Sequence, residues 1–402
     1  MKKTVRLIIF NEPYWDKGLI YTQNILPLKK MADKSHWDLE LISFTSLPKL
    51  ISERKQIRHA KKELEQQSIN VIDFPVLFYP TRFMTLFYFL LPWYFLNVWF
   101  YIKYLAHKDK HRDVIYSMRS YQVSLGFLKF YGNLDKLIFD LRTDFIEENI
   151  NRGLFRVNGL TVKYWRKLEK EMLTKFNKSL FISAEFRKNV LDRNQLNDDI
   201  ERYPIIYNPI DYRHFQSAKR DDHSEDFLYT GSLGHWNNLS NYLDFFLAVA
   251  TFFQKSKLII CTASPKHKVE PILEQNKYDS IRDRVLIYYN IPYESLPIYY
   301  AKCKYGLQIM KKLDTRVGVK YIEYIAAGVM PIVHENVQGA AKLAKDFGLG
   351  IVFNDYDLTS PDRLALKIAQ AGELDEKSIN YTKFRENTDI NCIAEKLQRI
   401  YA

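Results

Sequence analysis

The chain has 402 residues, of which 47% are hydrophobic and 15% aromatic, with only 14 glycines and 14 prolines. This composition excludes a disordered or low-complexity protein and is sufficient for two domains with separate cores. Three scattered cysteines are too few for a disulfide framework or a zinc site, and they are typical of a reducing cytosol. The net charge of +12 suits nucleic acid, an anionic membrane surface or a phosphorylated substrate. Because no compact Lys/Arg block or zinc finger occurs, nucleic acid is not expected as a partner.

The first ten residues, MKKTVRLIIF, resemble a signal peptide only in their two lysines. Arg6 interrupts the apolar run, and Asn11, Glu12 and Pro13 stop it after the length of one strand. The segment is therefore predicted to be a buried first β-strand.

Short apolar runs then alternate with amphipathic helical stretches such as residues 161–176. In the first half of the chain, six runs are predicted as strands: residues 5–10, 38–44, 69–74, 114–117, 137–140 and 180–183.

Residues 83–102 form an uncharged aromatic run that is long enough to span a bilayer, with a basic stretch after it. Pro92 at its centre, and Tyr and Trp residues spread along its whole length, disfavour a transmembrane helix. The preferred interpretation is an interfacial helix over residues 82–106 that contacts an anionic membrane surface. A buried helix and a true span are the alternatives.

A second strand–helix series follows the polar, charged segment Gln216–Asp226, which is predicted to be the joint between two domains. Two such series predict an α/β protein with two parallel sheets, each covered on both faces. The six runs predicted as strands in this half are residues 227–231, 258–262, 285–289, 305–310, 330–333 and 350–353. Thr388–Tyr401 has apolar residues at helical spacing and could dock on the first domain.

In open α/β sheets, ligands bind at the carboxyl ends of the strands. Gly18 follows the first strand, and Gly231 and Gly234 follow the strand that opens the second series. Each could let the backbone approach a phosphate or a sugar, and a plain tight turn is the alternative for both positions.

Residues 311–333 carry the most information about chemistry. A glycine-containing loop leads into a short helix predicted to start near Val319 and to close at Gly328. The amides near Val317–Val319 would cradle a diphosphate.

Arg316 and Lys320 could neutralise that diphosphate without a metal ion. Glu323 lies one helical turn after Lys320, where it could accept hydrogen bonds from ribose hydroxyls. The alternative is a surface helix with an ion pair. Asp355 and Asp357 look like an Asp-x-Asp metal motif, but their position before a helix start near Pro361 predicts loop and capping chemistry.

The run VKYIEYIAAGVMPIV (319–333) resembles the donor-binding signature of family-4-type glycosyltransferases of the GT-B fold, which act in bacterial surface-polysaccharide biosynthesis. Further stretches resemble the same family in the same order along the chain: residues 113–121, 136–148, 205–215, 227–233 and 285–307.

The resemblance implies two Rossmann-like domains facing across a cleft, with a C-terminal helix crossing back to the first domain. Residues 1–208 would bind the acceptor, residues 209–385 the nucleotide sugar, and residues 386–402 would form the returning helix.

The resemblance also implies residue roles. The histidine that is common at the family's catalytic edge has no clear match, and Asp140, Arg142 and Asp144 occupy that neighbourhood as catalytic candidates. Arg119 and Glu147 are candidates for acceptor contact, and a structural salt-bridge cluster is the alternative for the acidic residues of this stretch. The implied donor-binding residues are Gly18, Gly231, Ser232, Asn290, Ile291, Arg316, Gly318, Val319, Lys320 and Glu323. The chain departs from the family pattern where Thr315 replaces an acidic residue, and where Ser232 follows Gly231 in place of a basic residue.

The implied reaction moves a sugar from a nucleotide-diphosphate donor to a polyprenyl-diphosphate-linked glycan, for capsule or lipopolysaccharide assembly at the inner face of the cell membrane. No metal or other cofactor is expected, and retention of stereochemistry is preferred over inversion, in which Asp140 or Asp144 would be the base. A sugar-nucleotide epimerase of the same fold and a non-catalytic membrane-associated assembly partner are the alternatives.

Overall fold

The computed structural model describes residues 3–16, 18–32, 37–76, 91–221, 224–234, 237–372 and 374–402, with the backbone alone for 91–97. The chain divides into two compact units. Unit 1 comprises Met1–Ile206 with Asn391–Ala402, and unit 2 comprises Tyr207–Ile390.

Each unit is built on a six-stranded parallel sheet, which confirms the predicted α/β architecture and each of the twelve predicted strands. The strand orders are β3-β2-β1-β4-β5-β6 in unit 1 and β12-β11-β10-β7-β8-β9 in unit 2. The order reverses beside β1 and beside β7, the positions where ligands bind in such sheets. The strands are β1 Lys3–Phe10, β2 Trp37–Ser46, β3 Ile69–Val76, β4 Val114–Met118, β5 Leu137–Leu141, β6 Lys178–Phe181, β7 Phe227–Thr230, β8 Leu258–Thr262, β9 Val285–Tyr289, β10 Tyr305–Gln308, β11 Met330–His334 and β12 Ile351–Phe353.

Helices connect the strands and cover the sheets. They are α1 Leu26–Ala32, α2 Leu47–Ser52, α3 Arg54–Gln66, α4 Leu91–Lys108, α5 Tyr121–Phe130, α6 Phe145–Asn151, α7 Leu160–Lys175, α8 Ala184–Asn194, α9 Tyr212–Phe215, α10 Leu239–Val249, α11 Lys266–Leu273, α12 Leu296–Tyr300, α13 Val319–Ala326, α14 Gln338–Phe347, α15 Asp355–Leu358, α16 Pro361–Gln370, α17 Ile379–Thr388 and α18 Ile390–Tyr401.

Arg6 in the middle of β1 is fully buried, which explains why a cation interrupts an apolar strand. Its guanidinium donates to Glu40 on β2 over 2.5 Å, to Tyr116 on β4 over 2.9 Å, and to Asp109. A buried charge is tolerated only when it is paired and hydrogen-bonded. This cluster therefore ties three neighbouring structural segments of unit 1 to the central strand.

The last helix, α18, belongs to unit 1 although unit 2 precedes it in the chain. Ile393, Leu397 and Tyr401 are buried in the core on one face of the unit 1 sheet. The Tyr401 hydroxyl donates to Ser117 Oγ over 3.1 Å. The end of the chain is therefore fixed to unit 1 by apolar packing and by a buried hydrogen bond.

The aromatic segment lies only partly within the described residues, since 83–90 fall outside them. In α4, Val98, Ile102 and Leu105 are buried against the unit 1 sheet, whereas Phe100 and Tyr104 are 62% and 56% exposed. Among the described residues, none of the helices has the length and hydropathy needed to span a bilayer.

The units divide at Ile206–Tyr207, close to the boundary after residue 208 that the resemblance implies and before the polar segment Gln216–Asp226. The last residue of that segment is bonded within unit 2. Asp226 Oδ1 accepts from the Lys257 amide over 2.7 Å, and its carbonyl accepts from the Tyr305 amide over 3.1 Å. At Asp226, the polar composition therefore belongs to a hydrogen-bonded position of unit 2 and not to the joint.

We expect Gly306→Ala to lower the free energy of unfolding by about 1–3 kcal/mol, because the new Cβ would overlap the buried ring of Tyr324. Urea denaturation of the full chain measures this change. Gly132→Ala is the matched control, since no atom lies within 4 Å of its added Cβ. Equal stability of the two variants would contradict the packing described for β10.

Candidate active site

The loop before α13 ends at a glycine that packs closely against the end of a neighbouring side chain. Gly318 is the N-cap of α13, and a Cβ there would overlap the Gln308 carboxamide at the end of β10. Helix α13 runs from Val319 to Ala326, as the sequence predicts, so the amides of its first turn lie at the carboxyl edge of the sheet. A helix N-terminus in this position favours an anion.

Glu323 lies within α13 and is only 3% exposed. Its Oε2 accepts hydrogen bonds from the Tyr300 hydroxyl over 2.6 Å and from Lys320 Nζ over 2.8 Å. The Tyr300 hydroxyl also lies 2.7 Å from Thr230 Oγ1, at the end of β7. These four residues form a continuous hydrogen-bonded chain, which we call the Glu323 network.

The direction of these hydrogen bonds follows from protonation. Burial, and next the negative charge of Glu323, raise the pKa of the Tyr300 phenol well above its usual value. Tyr300 therefore stays protonated, and its hydroxyl donates a hydrogen bond to Glu323. The Thr230 hydroxyl is then the donor in the hydrogen bond to the Tyr300 oxygen.

Gly231 follows Thr230 directly and has a φ of +138°, which favours glycine. A Cβ at Gly231 would lie 3.4 Å from Lys320 Cε. The carbonyl of the next residue, Ser232, accepts from the Tyr229 hydroxyl over 2.9 Å. The structure thus places the predicted residues Gly231 and Lys320 beside one another, next to Glu323.

Arg316 is held within its own loop. Its Nε and one terminal nitrogen each donate to Asp314 over 2.8 Å, and its amide donates to the same carboxylate over 2.9 Å. The positive charge of Arg316, which was predicted to neutralise a diphosphate, is therefore already largely balanced by Asp314. Lys320, bonded to Glu323 and 29% exposed in its side chain, is the more available cation of the two.

Asn290 and Ile291 follow β9, two strands away from β7 in the sheet. Asn290 has a φ of +54°, and its amide donates to the Thr262 carbonyl over 2.9 Å. Near this turn, the His214 and Tyr293 rings stack at 4.3 Å, and His214 Nε2 lies 3.2 Å from the Tyr293 carbonyl. An aromatic surface of this kind suits a planar ring.

Unit 1 has a second polar cluster at the carboxyl edge of its own sheet. Asp140, 2% exposed at β5, accepts from Arg142 Nε over 2.7 Å and from Asn24 Nδ2 over 3.1 Å. Asn24 in turn accepts from Arg119 over 2.5 Å. Burial, and next the Asp140 charge, raise the pKa of Tyr401, which places that phenol beside the same cluster.

Arg119 also donates to Glu12 over 3.0 Å and to Gln23 over 2.7 Å. Gln23 and Asn24 belong to a single π-helical turn, Tyr21–Ile25, that begins just after the exposed Gly18. Such turns occur often at functional sites. We call Arg119, Asn24, Asp140 and Arg142 the Asp140 network.

Asp144 and Glu147 belong to a different cluster. Asp144 caps α6 by accepting from the Glu147 amide over 3.3 Å, and it accepts from Arg193 over 2.5 Å. Arg193 also donates to the fully buried Glu169 over 2.5 Å. Glu147 is bonded to Arg166. These contacts give both carboxylates structural partners, so a structural role is favoured over the predicted catalytic and acceptor roles.

The Asp-x-Asp segment has capping chemistry, as the sequence predicts. Asn354 and Asp357 form a reciprocal capping box at the start of α15. Within the described part of the chain, His, Cys, Asp and Glu side chains form no group of three that could hold a metal ion.

Comparison with known proteins adds to this geometry. Residues 212–388 match the family of group 1 glycosyl transferases. No curated protein sequence matches the chain.

Solved structures resemble the chain over nearly its whole length. Sucrose-phosphate synthase from Thermosynechococcus elongatus has a TM-score of 0.68 at 12% identity, covering 99% of this chain and 98% of that one. Anabaena HepE in complex with UDP has a TM-score of 0.66 at 12% identity, with coverage of 99% and 98%. The lipopolysaccharide outer core galactosyltransferase WaaB has a TM-score of 0.65 at 12% identity, again with coverage of 99% and 98%.

Two Rossmann-like units with these structural relatives define the GT-B fold. The family match spans most of unit 2, which is thus similar to the group 1 glycosyl transferases. The chain is a glycosyltransferase.

We expect Asp144→Ala to lower the free energy of unfolding by about 2–4 kcal/mol, because it removes a helix cap and leaves Arg193 without one partner. Urea denaturation measures this loss. The exposed Asp135 provides the control, whose alanine variant is expected to change stability by less than about 0.5 kcal/mol. An Asp144→Ala protein of wild-type stability but without activity would show that the structural assignment is wrong.

Proposed function

We propose that the enzyme transfers a sugar from a nucleoside-diphosphate donor bound by unit 2 to a lipid-linked glycan acceptor received by unit 1. The proposed setting is surface-polysaccharide assembly at the inner face of a bacterial cell membrane. The observation that carries the proposal is the Glu323 network beside the start of α13.

The network supplies what a nucleoside diphosphate needs. A buried carboxylate that is fixed on one oxygen by Tyr300 and Lys320 can accept hydrogen bonds from the vicinal hydroxyls of ribose. The turn at Asn290, with the nearby stack of His214 on Tyr293, suits contact with a base. The UDP complex of Anabaena HepE makes uracil the first base to test.

Departure of the diphosphate is the electrostatic part of the reaction. Negative charge grows on the leaving oxygen, and the free amides at the start of α13 lie where they could stabilise it. Lys320 has a partly exposed side chain on the first turn, so it can exchange part of its bond to Glu323 for a phosphate oxygen. These groups supply positive charge without a metal ion.

The acceptor side rests on the Asp140 network. Asp140 is 2% exposed, and both of its carboxylate oxygens already accept hydrogen bonds, one from Arg142 and one from Asn24. We therefore assign Asp140 to positioning of Arg142 and Asn24, and not to proton abstraction. With no base assigned, the departing phosphate oxygen takes the acceptor proton and the anomeric configuration is retained. WaaB, a lipopolysaccharide outer core galactosyltransferase of the same fold, supports an acceptor from surface polysaccharide.

We expect Glu323→Ala to weaken binding of the cognate nucleoside diphosphate by roughly 10- to 100-fold, the loss expected for hydrogen bonds to a charged group. Isothermal titration calorimetry of the wild type and variant with UDP, GDP, ADP and CDP measures the effect. Glu335→Ala removes an exposed carboxylate from unit 2 and should bind like the wild type. If no diphosphate binds the wild type, or if Glu323→Ala binds normally, the donor-site assignment is incorrect.

We also expect transfer to proceed in excess EDTA and to give a product with the anomeric configuration of the donor. Proton NMR of the product, formed in the presence of EDTA, reads both results in one assay. Activity that vanishes in EDTA and returns with manganese would overturn the metal-independent mechanism. An inverted linkage would overturn retention and return Asp140 to the role of base.

A further inference from the structure

Helix α3 has a surface that the proposed chemistry does not use. Ile57 and Leu64 face the core of unit 1 and are buried. Five basic side chains of the helix are exposed, and they form two neighbouring rows in which residues are four positions apart. They therefore share one broad face of the helix. We call this set the basic face: Arg54, Lys55, Arg58, His59 and Lys62.

The basic face lines a surface depression with a volume of about 490 Å³. Within the described residues, no carboxylate forms an ion pair with any of its members, whereas Lys29, also in unit 1, pairs with Glu63 over 2.7 Å. Like charges at helical spacing destabilise a helix slightly when nothing neutralises them. An anionic partner would relieve this repulsion.

Exposed apolar side chains adjoin the basic face. Leu47 and Ile51 on α2, just before α3, are 45% and 76% exposed. A row of cations next to exposed aliphatic side chains is typical of surfaces that lie in the headgroup region of a bilayer. Binding to the phosphates of a nucleic acid would involve the cations, but it would not explain the exposed Leu47 and Ile51.

The position of this surface in unit 1 supports the same partner. Strand β3 is the edge strand, with α3 packed on one face of the sheet and α4 on the other. The exposed Phe100 and Tyr104 of α4 are aromatic residues of the kind enriched at membrane interfaces. Both helices that flank the edge strand therefore offer side chains suited to a bilayer surface.

The loop that leads to Gly18 is bonded to the same region. Trp15 Nε1 donates to Glu53, which stands between α2 and α3, and the Tyr14 hydroxyl lies 3.0 Å from Asp73 on β3. In addition, α2 begins where β2 ends, at the sheet edge that carries the Asp140 network. A bilayer held at α2 and α3 would therefore lie beside the end of the sheet at which the acceptor is proposed to bind.

We propose that the basic face, together with Leu47 and Ile51, is a docking surface for an anionic phospholipid bilayer. This inference rests on the proposed function in one respect only, because a lipid-linked acceptor would explain why the enzyme binds a bilayer. The binding itself depends on the surface of unit 1 and is independent of the donor site.

The test is co-sedimentation of the full chain with phosphatidylcholine vesicles that either contain or lack phosphatidylglycerol. The wild type should bind only the anionic vesicles. Because each cation near an anionic surface contributes about fivefold to partitioning, the triple variant Arg54→Gln/Arg58→Gln/Lys62→Gln should bind roughly 100-fold more weakly.

Matched controls separate the docking surface from net charge and general hydrophobicity. Lys255→Gln/Lys268→Gln/Lys383→Gln removes the same charge from exposed positions of unit 2 and should bind like the wild type. Ile51→Ser should weaken binding, whereas Ile379→Ser, at a residue 73% exposed in unit 2, should not.

The proposal is overturned if the wild type does not bind anionic vesicles, or if the two triple variants lose vesicle binding to the same extent. It is also overturned if single-stranded DNA or inorganic pyrophosphate binds the basic face as well as the vesicles do. Calorimetry with nucleoside diphosphates on the wild type, beside its vesicle co-sedimentation, distinguishes the two proposals. Donor binding without vesicle binding rejects only the docking surface, and vesicle binding without donor binding rejects only the proposed transferase site.

Discussion

The proposed chemistry depends on the hydrogen bonds that hold the buried carboxylate of Glu323. A charge that is 3% exposed is costly unless it is paired and hydrogen-bonded, and Tyr300 and Lys320 meet that requirement. The same bonds connect α12, the first turn of α13 and, through Thr230, the end of β7. Glycines at 231 and 318 keep the surrounding backbone free of side chains. The Glu323 network, which we propose as the donor site, is thus fixed at the switch point of the unit 2 sheet.

Unit 1 repeats this plan with different chemistry. Its polar network also lies beside the point at which the order of strands in the sheet reverses. Glu323 accepts from a tyrosine and a lysine, whereas Asp140 accepts from Arg142 and Asn24. The π-helical turn that carries Asn24 brings a side chain from the start of the chain to the end of β5. Each arginine at this edge is paired with a carboxylate, Arg119 with Glu12 and Arg142 with Asp140. The proposed donor and acceptor sites therefore differ in residue type.

The periodicity of apolar residues was enough to predict all twelve strands and α13, because buried parallel strands are nearly continuous hydrophobic runs. It could not locate the joint, since Gln216–Asp226 is polar for reasons of surface exposure. Among site residues, Gly231, Lys320 and Glu323 converge as predicted, whereas Tyr300, Thr230 and Asn24 were missed because only tertiary contacts reveal them. The Asp314–Arg316 and Asp144–Arg193 pairs likewise depend on loop and helix positions that spacing does not encode.

Hydrogen–deuterium exchange of the full chain, with and without the cognate nucleoside diphosphate, tests the central claim most directly. If the diphosphate binds at the start of α13 and the ribose at Glu323, exchange should slow in peptides covering residues 315–326 and 229–232. Peptides around Asp140 should not respond to the nucleotide alone. Protection confined to unit 1, or no protection at 315–326 at saturating nucleotide, would contradict the assignment of the Glu323 network as the donor site.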